Sequence, residues 1–361
     1  MRCQTWIAKS KKIGEIVMKY KLLGKSGLRV SELCLGTMTF GEDWGWGANK
    51  KDSRKIFDAY AEAGGNFLDT ANMYTNGTSE KFLGEFIKGQ REQWVLATKY
   101  SLNNQQASVN TCGNHRKNMI QSVEGSLRRL NVDFIDLLWL HIWDYTTSIE
   151  EVMRALDDLI RMGKVLYVGI SDAPAWIISA ANVLAKLKGW TPFVALQIEY
   201  SLKERTPERD LLPMAEEFQL SVTPWSPLAG GLLTGKYANK KNKKAEGRLS
   251  KTGTKLAKLD ERDIKIVDAL INIAAKIGRT PSQVALNWIL QKGPRMIPII
   301  GATQLSQLED NLKSCDFALS QEHINRLNEA SAISLGFPHD FFKGEVVQDF
   351  CFSGTLRKIE H

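Results

Sequence analysis

Eight short apolar runs alternate along the chain with segments of helical spacing, and this alternation is the dominant pattern of the sequence. The interiors of the runs are continuously apolar, which is typical of parallel strands covered by helices. Between two of them, Lys51–Gly64 places Ile56, Tyr60 and Ala63 on one helical face. The predicted strands are Ser31–Thr37, Asn66–Ala71, Trp94–Tyr100, Phe134–His141, Val165–Ser171, Phe193–Ser201, Leu220–Pro227 and Met296–Ala302.

Eight strands, each followed by a helix, predict an α/β protein with a (β/α)8 TIM barrel. A doubly wound sheet is the main alternative, but it would need a GxGxxG sequence after its first strand, and Gly36–Gly41 does not fit. A β-hairpin turning at Ser26-Gly27 is expected to close the N-terminal mouth. We expect one barrel over residues 19–333, long loops on its catalytic face such as Tyr237–Asp260, and a tail over residues 334–361 near the active-site mouth.

Four polar residues lie at or just past the C-terminal ends of three consecutive runs. Asp69 and Tyr74 follow the second run, Lys99 ends the third and His141 ends the fourth. Parallel barrels place their chemistry at those strand ends. Each residue alone has an ordinary structural explanation, such as a cap or a core side chain, but the four together indicate a proton-transfer site.

The four residue types fit the reduction of a carbonyl group. Negative charge builds on the carbonyl oxygen, so a nearby group must donate a proton. A tyrosine with a free pKa near 10 is a poor acid at neutral pH, and a close ammonium would favour its phenolate. We therefore predict Tyr74 as acid/base, Lys99 as the group that tunes it, and Asp69 as the partner that keeps Lys99 charged. His141 is placed to orient the substrate oxygen.

The net charge of +8 and the pI near 9.1 raise the question of nucleic-acid binding. The densest basic cluster, Asn239–Lys244, has no interleaved aromatic residues for base stacking. A solvated loop is the simplest interpretation, and attraction of a phosphorylated cofactor is the alternative. We expect no nucleic-acid partner, and the sequence does not indicate an oligomeric state.

Targeting, membrane and metal signals are weak. No run reaches the roughly 18 apolar residues of a membrane span, and residues 1–18 lack the apolar core of a secretory signal. A disordered extension is expected there, with a transit peptide or an upstream start before Met18 as alternatives. The five cysteines are scattered without a CxxC, so neither a disulfide framework nor a metal site is expected. A cytoplasmic protein fits best.

The motifs GTMTFG, FLDTANMY, ATKY and LLWLH resemble those of the aldo-keto reductase superfamily. The motifs VGISD, LQIEYS, TPWSPLAGGLLTGKY and IPIIGATQLSQLEDN continue the resemblance in order, from about residue 20 to about residue 330. The resemblance extends to the branch that contains bacterial-type members and potassium-channel β-subunits. It implies a barrel that binds a nicotinamide dinucleotide, NADPH-dependent reduction of aldehydes and ketones, and catalysis by Asp69, Tyr74, Lys99 and His141.

The resemblance also implies where a cofactor binds. The ends of the first, second, fifth and sixth strands would hold the nicotinamide, the segment after the seventh the pyrophosphate, and the segment after the eighth the adenosine phosphate. The implied residues are Gly36, Thr37, Met38, Asp69, Ser171, Asp172, Gln197, Trp225, Ser226, Pro227, Leu228, Gly230, Gly231, Lys236, Arg248, Gly301, Thr303, Gln304, Gln307, Asp310 and Asn311.

Two departures from the family pattern affect the cofactor. Asp172 stands where many members have asparagine, and a carboxylate donates a hydrogen bond only when protonated. Gln304 and Gln307 are neutral where many members carry a cation for the 2′-phosphate. NADP(H) is the expected cofactor, with NAD(H) as the alternative.

Aromatic residues cluster near the expected mouth and predict a pocket for an apolar or aromatic carbonyl compound: Phe40, Trp44, Trp46, Tyr100, Trp143 and Tyr145. Core or loop packing is the alternative for each of them. Three functions are compared: a carbonyl reductase, which the motifs favour, a cofactor-sensing regulatory subunit on the same scaffold, and a basic nucleic-acid binder supported by charge alone.

Overall fold

The computed structural model of the protein describes residues 18–103, 108–236 and 260–359. A hairpin of β1 (Tyr20–Leu22) and β2 (Arg29–Ser31) precedes an eight-stranded parallel sheet. The strands of that sheet are β3 (Cys34–Gly36), β4 (Phe67–Asp69), β5 (Val95–Tyr100), β6 (Ile135–Leu140), β7 (Val165–Ser171), β8 (Ala195–Glu199), β9 (Ser221–Trp225) and β10 (Ile299–Ile300). β7 has the predicted bounds, and each of the other seven strands is shorter than its predicted run and lies within it.

The sheet curves into a barrel because its last strand along the chain pairs with its first. β10 pairs with β3, and the remaining strands follow in chain order up to β9. Backbone hydrogen bonds join the β9 residue Val222 to Arg295 and Ile297, both at 2.9 Å, and bring the chain before β10 beside β9. The predicted TIM barrel is confirmed, and its strands all run in the direction that brings their C-terminal ends to one face.

Helices cover the outside of the barrel, and side-chain caps fix where several of them begin. The Ser148 side chain accepts a hydrogen bond from the Glu151 backbone, and Thr280 and Gln283 form a reciprocal capping box. The helices in the described residues are α1 (Lys50–Glu62), α2 (Thr78–Phe86), α3 (Arg116–Leu130), α4 (Ile149–Arg161), α5 (Ala175–Lys188), α6 (Leu211–Glu217), α7 (Glu261–Ile277), α8 (Pro281–Leu290), α9 (Leu305–Leu312), α10 (Gln321–Ala330), α11 (His339–Phe342) and α12 (Glu345–Phe352).

The barrel interior is packed around a large aromatic side chain. Trp139 of β6 is fully buried among inward-facing residues of the other strands. Gly169 of β7 allows this, because a Cβ atom there would lie 2.4 Å from the Trp139 ring. Leu23 and Val30 of the hairpin join the same cluster and plug the N-terminal end, as predicted for the cap.

The structure describes only part of the predicted chain ends and of the predicted long loop. Residues 1–17, most of the predicted extension, lie outside the described residues, whereas Met18 is buried in the core. The predicted loop Tyr237–Asp260 also falls almost wholly outside them. The described part of the tail forms α11 and α12, and none of its residues lines the cleft at the strand ends. No helix of the described residues is long and apolar enough to cross a membrane.

Candidate active site

Barrel topology brings the four predicted catalytic residues to one face. Asp69 is the last residue of β4, Lys99 is the next-to-last residue of β5, and His141 directly follows β6. Tyr74 opens a short 3-10 turn between β4 and α2. Because β4, β5 and β6 are neighbours in the sheet, their ends lie side by side.

Lys99 and Asp69 form a buried ion pair under the cleft. The Lys99 Nζ atom lies 2.5 Å from Asp69 Oδ2 and donates a second bond to the Thr70 carbonyl at 2.8 Å. The Lys99 side chain is fully buried, and burial alone would lower its pKa. The charge of Asp69 and the hydroxyl of Tyr74 outweigh that effect and raise the pKa of Lys99 above its ordinary value. The lysine is therefore held as an ammonium.

Tyr74 lies over this ion pair. The Lys99 ammonium is 4.7 Å from the centroid of the Tyr74 ring and hydrogen-bonds to its hydroxyl. The ring of His141 packs against the ring of Tyr74 at a centroid distance of 5.9 Å. Gln197 of β8 holds the other Asp69 oxygen, since its Nε2 atom donates to Asp69 Oδ1 at 3.0 Å. The arrangement places a proton donor, a fixed positive charge and an imidazole around one point.

His141 is held as a neutral imidazole. Burial, and then the charge of Lys99, keep its pKa well below the usual range. Its Nδ1 atom is buried and has no hydrogen-bond partner within the described part of the chain. A buried nitrogen of this kind is costly unless a ligand satisfies it.

The depressed pKa of His141 predicts a pH-dependent stability. The unfolded histidine takes up a proton below about pH 6.5, whereas the folded one does not, so the free energy of unfolding falls as the pH drops below that value. The contribution is at most about 1.4 kcal/mol per pH unit. Urea unfolding between pH 7 and pH 5 should show a smaller loss for His141→Gln than for the wild type. His339→Gln, in the tail, is the control, and equal losses in His141→Gln and the wild type would contradict the prediction.

A cleft of about 660 Å³ opens above these residues and runs across the face of the barrel. Its volume is in the range of small-molecule sites. It is lined by most of the predicted cofactor residues: Gly36, Met38, Asp69, Ser171, Asp172, Gln197, Trp225, Ser226, Pro227, Leu228, Gly230, Gly231, Lys236, Gly301, Thr303, Gln304, Gln307, Asp310 and Asn311. Tyr74, His141, Trp44 and Trp46 line the same cleft.

Several predicted site residues lie elsewhere. Phe40, Tyr100 and Trp143, predicted for the substrate pocket, are buried in the hydrophobic core and do not line the cleft. Thr37 is also buried behind the cleft wall, where its hydroxyl bonds to the Asp69 carbonyl and to Ser79. Arg248 lies outside the described residues.

The segment after β9 has an unusual backbone. Positive φ angles occur at Ser226 (49°), Ala229 (48°), Gly230 (64°) and Gly231 (99°). Repeated left-handed residues bend the chain into a concave turn of the kind that binds anions. Lys236 stands beside this turn, because a Cβ atom at Gly231 would lie 3.2 Å from its Nζ atom.

Asp172 and Trp225 form one contact on the cleft wall. The Trp225 Nε1 atom donates to Asp172 Oδ1 at 3.0 Å. Partial removal from water raises the pKa of the Asp172 carboxyl, although the Trp225 bond and the Lys99 charge oppose this. The Asp172 carboxylate therefore accepts a hydrogen bond from the Trp225 indole, and this bond fixes the ring at the cleft wall.

The structure adds lining residues that the motifs did not indicate. They are Met73, Leu102, Thr39 and Ser282. Met73 directly precedes Tyr74 in sequence, so its position was a usable signal. Leu102 and Ser282 belong to a loop and a helix whose approach depends on tertiary packing, and no local pattern marks them.

The barrel and the four clustered residues define an oxidoreductase of the aldo/keto reductase family, and the chain belongs to that family, whose model matches residues 32–332. The family acts on small carbonyl compounds and generally uses NAD(P)H.

Three relatives match this chain over most of its length and most of their own. An aryl-alcohol dehydrogenase [NADP(+)] of Phanerodontia chrysosporium is 40% identical over 88% of this chain and 86% of its own. A norsolorinic acid reductase of Aspergillus flavus is 36% identical over 94% of this chain and 87% of its own. An aldo-keto reductase of Emericella nidulans is 40% identical over 89% of this chain and 84% of its own.

Proposed function

We propose that the protein reduces aromatic aldehydes or ketones to alcohols with NADP(H), and that Tyr74 acts as the general acid. The observation that carries the proposal is the buried Lys99–Asp69 pair beneath Tyr74, at the catalytic end of a cleft lined by the predicted cofactor residues. The alternative function, a cofactor-sensing regulatory subunit on the same scaffold, is supported by no separate observation.

Proton transfer is assigned to Tyr74 because of its surroundings. As the tyrosine gives its proton to the carbonyl oxygen, it becomes negatively charged, and the Lys99 ammonium hydrogen-bonded to it stabilises that charge. Asp69 keeps Lys99 charged despite complete burial. The neutral His141 donates to the same carbonyl oxygen and orients it without competing as an acid.

The cleft residues fit a dinucleotide. Trp225, fixed by Asp172, would stack on the nicotinamide, and the concave turn at Gly230 and Gly231 would hold the pyrophosphate. When bound, the dinucleotide supplies the hydride that reduces the carbonyl carbon. Gly36 lines the same cleft, and a larger residue there would collide with β10, because a Cβ atom at this position would lie 2.5 Å from the Ile299 side chain.

Preference for the phosphorylated cofactor rests on charge. Lys236 is the only lysine or arginine among the described residues that line the cleft. The Asp310 carboxylate is engaged by Thr280 and by Gln283, at 2.7 Å to Gln283 Nε2, so its charge is partly compensated. The Phanerodontia relative carries NADP(+) in its name. These features favour NADP(H), and Lys236→Ala should weaken the binding of NADPH and also of NADH, because Lys236 stands beside the turn assigned to the pyrophosphate that both cofactors carry.

The substrate end of the cleft is aromatic and apolar. Trp44 packs against Trp46 at a centroid distance of 5.8 Å and against Tyr74 at 6.4 Å. The apolar residues Met73 and Leu102 line the same cleft. Flat aromatic rings gain edge and face contacts with such walls, and two relatives are named for aryl alcohols and for norsolorinic acid. Aromatic carbonyl compounds are therefore the proposed substrate class.

The test is a matched screen of carbonyl reduction. Oxidation of NADPH and of NADH is followed with an aromatic aldehyde and with its saturated-ring counterpart, which has the same carbon skeleton but a puckered ring that is not conjugated with the carbonyl group. The proposal predicts turnover with NADPH, weaker use of NADH, and a higher kcat/KM for the aromatic member. Equal use of both cofactors would contradict the NADP(H) assignment. Tight NADPH binding without turnover of any carbonyl compound would favour the regulatory function.

A further inference from the structure

The backbone directly after Tyr74 is held in a rare conformation. Thr75 has φ 45° and ψ 47°, Asn76 has φ 55° and ψ 31°, and Gly77 has φ 89°. Glycine adopts positive φ freely and asparagine tolerates it, but a β-branched threonine does so at a clear cost. Strain of this kind persists only where the surroundings enforce it, and it is concentrated at functional sites.

The Thr75 hydroxyl supplies much of that enforcement. Thr75 is fully buried. Its Oγ1 atom donates to the Phe40 carbonyl at 2.7 Å and accepts from the Ser79 backbone N–H at 3.1 Å. A Cβ atom at Gly41 would lie 2.8 Å from Thr75 Oγ1, so the backbone after β3 packs directly on this hydroxyl. The Thr75 side chain thus connects the 3-10 turn Tyr74–Gly77, the start of α2 and the loop after β3.

Further contacts connect the same two segments. Trp44 Nε1 donates to Asn76 Oδ1 at 3.4 Å, and Thr78 Oγ1 donates to Asp43 Oδ1 at 3.2 Å. The Trp44 ring also meets the Tyr74 ring edge-on. Trp44, which lines the proposed substrate end of the cleft, and Tyr74 are therefore held by one connected set of contacts. Thr75 belongs to this set and is fully buried.

We infer that Thr75 is a positioning residue, whose hydroxyl fixes Tyr74 over Lys99 and against the Trp44 wall. Thr75 does not line the cleft, so it acts through Tyr74 and not by touching a ligand. This inference rests on the proposed function. The strained turn then keeps the Tyr74 hydroxyl within hydrogen-bonding distance of both the Lys99 ammonium and the substrate.

The test compares three replacements of Thr75. Thr75→Val keeps the β-branched shape and removes both hydrogen bonds, Thr75→Ser keeps the hydroxyl, and Thr75→Gly relieves the strain but lacks the hydroxyl. Thr75→Val should lower kcat by between about tenfold and 100-fold, the effect of a misplacement near 1 Å. Its NADPH dissociation constant should stay near the wild-type value, and its kcat–pH profile should shift. Thr75→Ser should restore kcat and the profile.

Thr75→Gly keeps the inference testable if the valine variant does not fold, because glycine accepts the left-handed backbone without strain. It should fold and show the same loss of kcat. Thr191→Val, which removes a 3.1 Å hydroxyl bond to Asp157 at the other end of the barrel, is the matched control and should keep wild-type kcat.

Specific outcomes would overturn the inference. Wild-type kcat and pH profile in Thr75→Val or Thr75→Gly would do so, as would a serine variant as impaired as the valine variant. If Tyr74→Phe is inactive while Thr75→Val is unimpaired, the assignment to Thr75 fails and the proposed function stands. A wild-type protein that reduces no carbonyl compound would defeat the proposed function and this inference with it.

Discussion

Tyr74→Phe is expected to lower kcat for carbonyl reduction by at least about 100-fold, the lower range for loss of a positioned general acid. The phenyl ring keeps the packing against His141 and Trp44 but has no proton to give. Stopped-flow or steady-state oxidation of NADPH at saturating cofactor measures the change. The NADPH dissociation constant should change little, because the variant alters no charge in the cofactor part of the cleft.

Tyr100→Phe is the matched control for this variant. Tyr100 is also a buried tyrosine near the strand ends, but it lies in the core, and its hydroxyl donates to the Asn114 carbonyl at 3.3 Å. It should retain near wild-type turnover. Tyr74→Phe with wild-type kcat, or equal losses in the two variants, would contradict the assignment of Tyr74 as the acid.

The second large effect concerns the buried ion pair. Asp69→Asn should lower the free energy of unfolding by about 3–5 kcal/mol at pH 7, because it leaves the Lys99 ammonium buried without its counter-charge. Lys99→Met should cost a similar amount, since it leaves the Asp69 carboxylate unpaired. Both variants should also lose carbonyl reduction. Urea unfolding monitored by tryptophan fluorescence measures the stability.

The double variant Asp69→Asn/Lys99→Met separates the two consequences. It removes both charges, so it should regain part of the stability while remaining inactive. Asp58→Asn, which breaks the exposed pair with Arg54, should change stability by less than about 1 kcal/mol. A double variant less stable than either single one, or a single variant of wild-type stability, would contradict this account of the pair.

The sequence was sufficient, for a physical reason, to predict the barrel and the four polar residues that lie together at one of its faces. Buried parallel strands are continuous apolar runs, so a polar residue at the end of such a run marks the catalytic face directly. Asp69, Lys99 and His141 were found in this way. The glycine-rich segment after β9 was likewise readable, because repeated left-handed turns require residues such as Gly230 and Gly231.

The aromatic lining of the cleft was harder to predict, because proximity in sequence does not determine which way a side chain points. Tyr100 follows Lys99 in β5, and successive strand residues point to opposite sides. Lys99 therefore faces the interior, whereas Tyr100 packs in the cluster between strands and helices. Phe40 is turned the same way and packs against Phe86 of α2 at a centroid distance of 6.3 Å.

The strained turn at Thr75 was beyond sequence analysis for a different reason. Asn76-Gly77 is an ordinary turn signal, but threonine has no local preference for positive φ, so no residue pattern indicates that Thr75 adopts it too. The conformation depends on the Phe40 carbonyl and the Ser79 amide, which meet only when the loop after β3 packs on α2. Contacts of this kind are set by the whole barrel.

Transfer of a labelled hydride tests the central claim most directly. Wild-type protein is incubated with an aromatic aldehyde and NADPH deuterated at C4, with each of the two C4 epimers in turn, and the alcohol is analysed by mass spectrometry. The account predicts one deuterium on the former carbonyl carbon with one epimer, and a rate of labelled product at least about 100-fold lower in Tyr74→Phe. An alcohol free of deuterium with both epimers, or no alcohol at all, would contradict it.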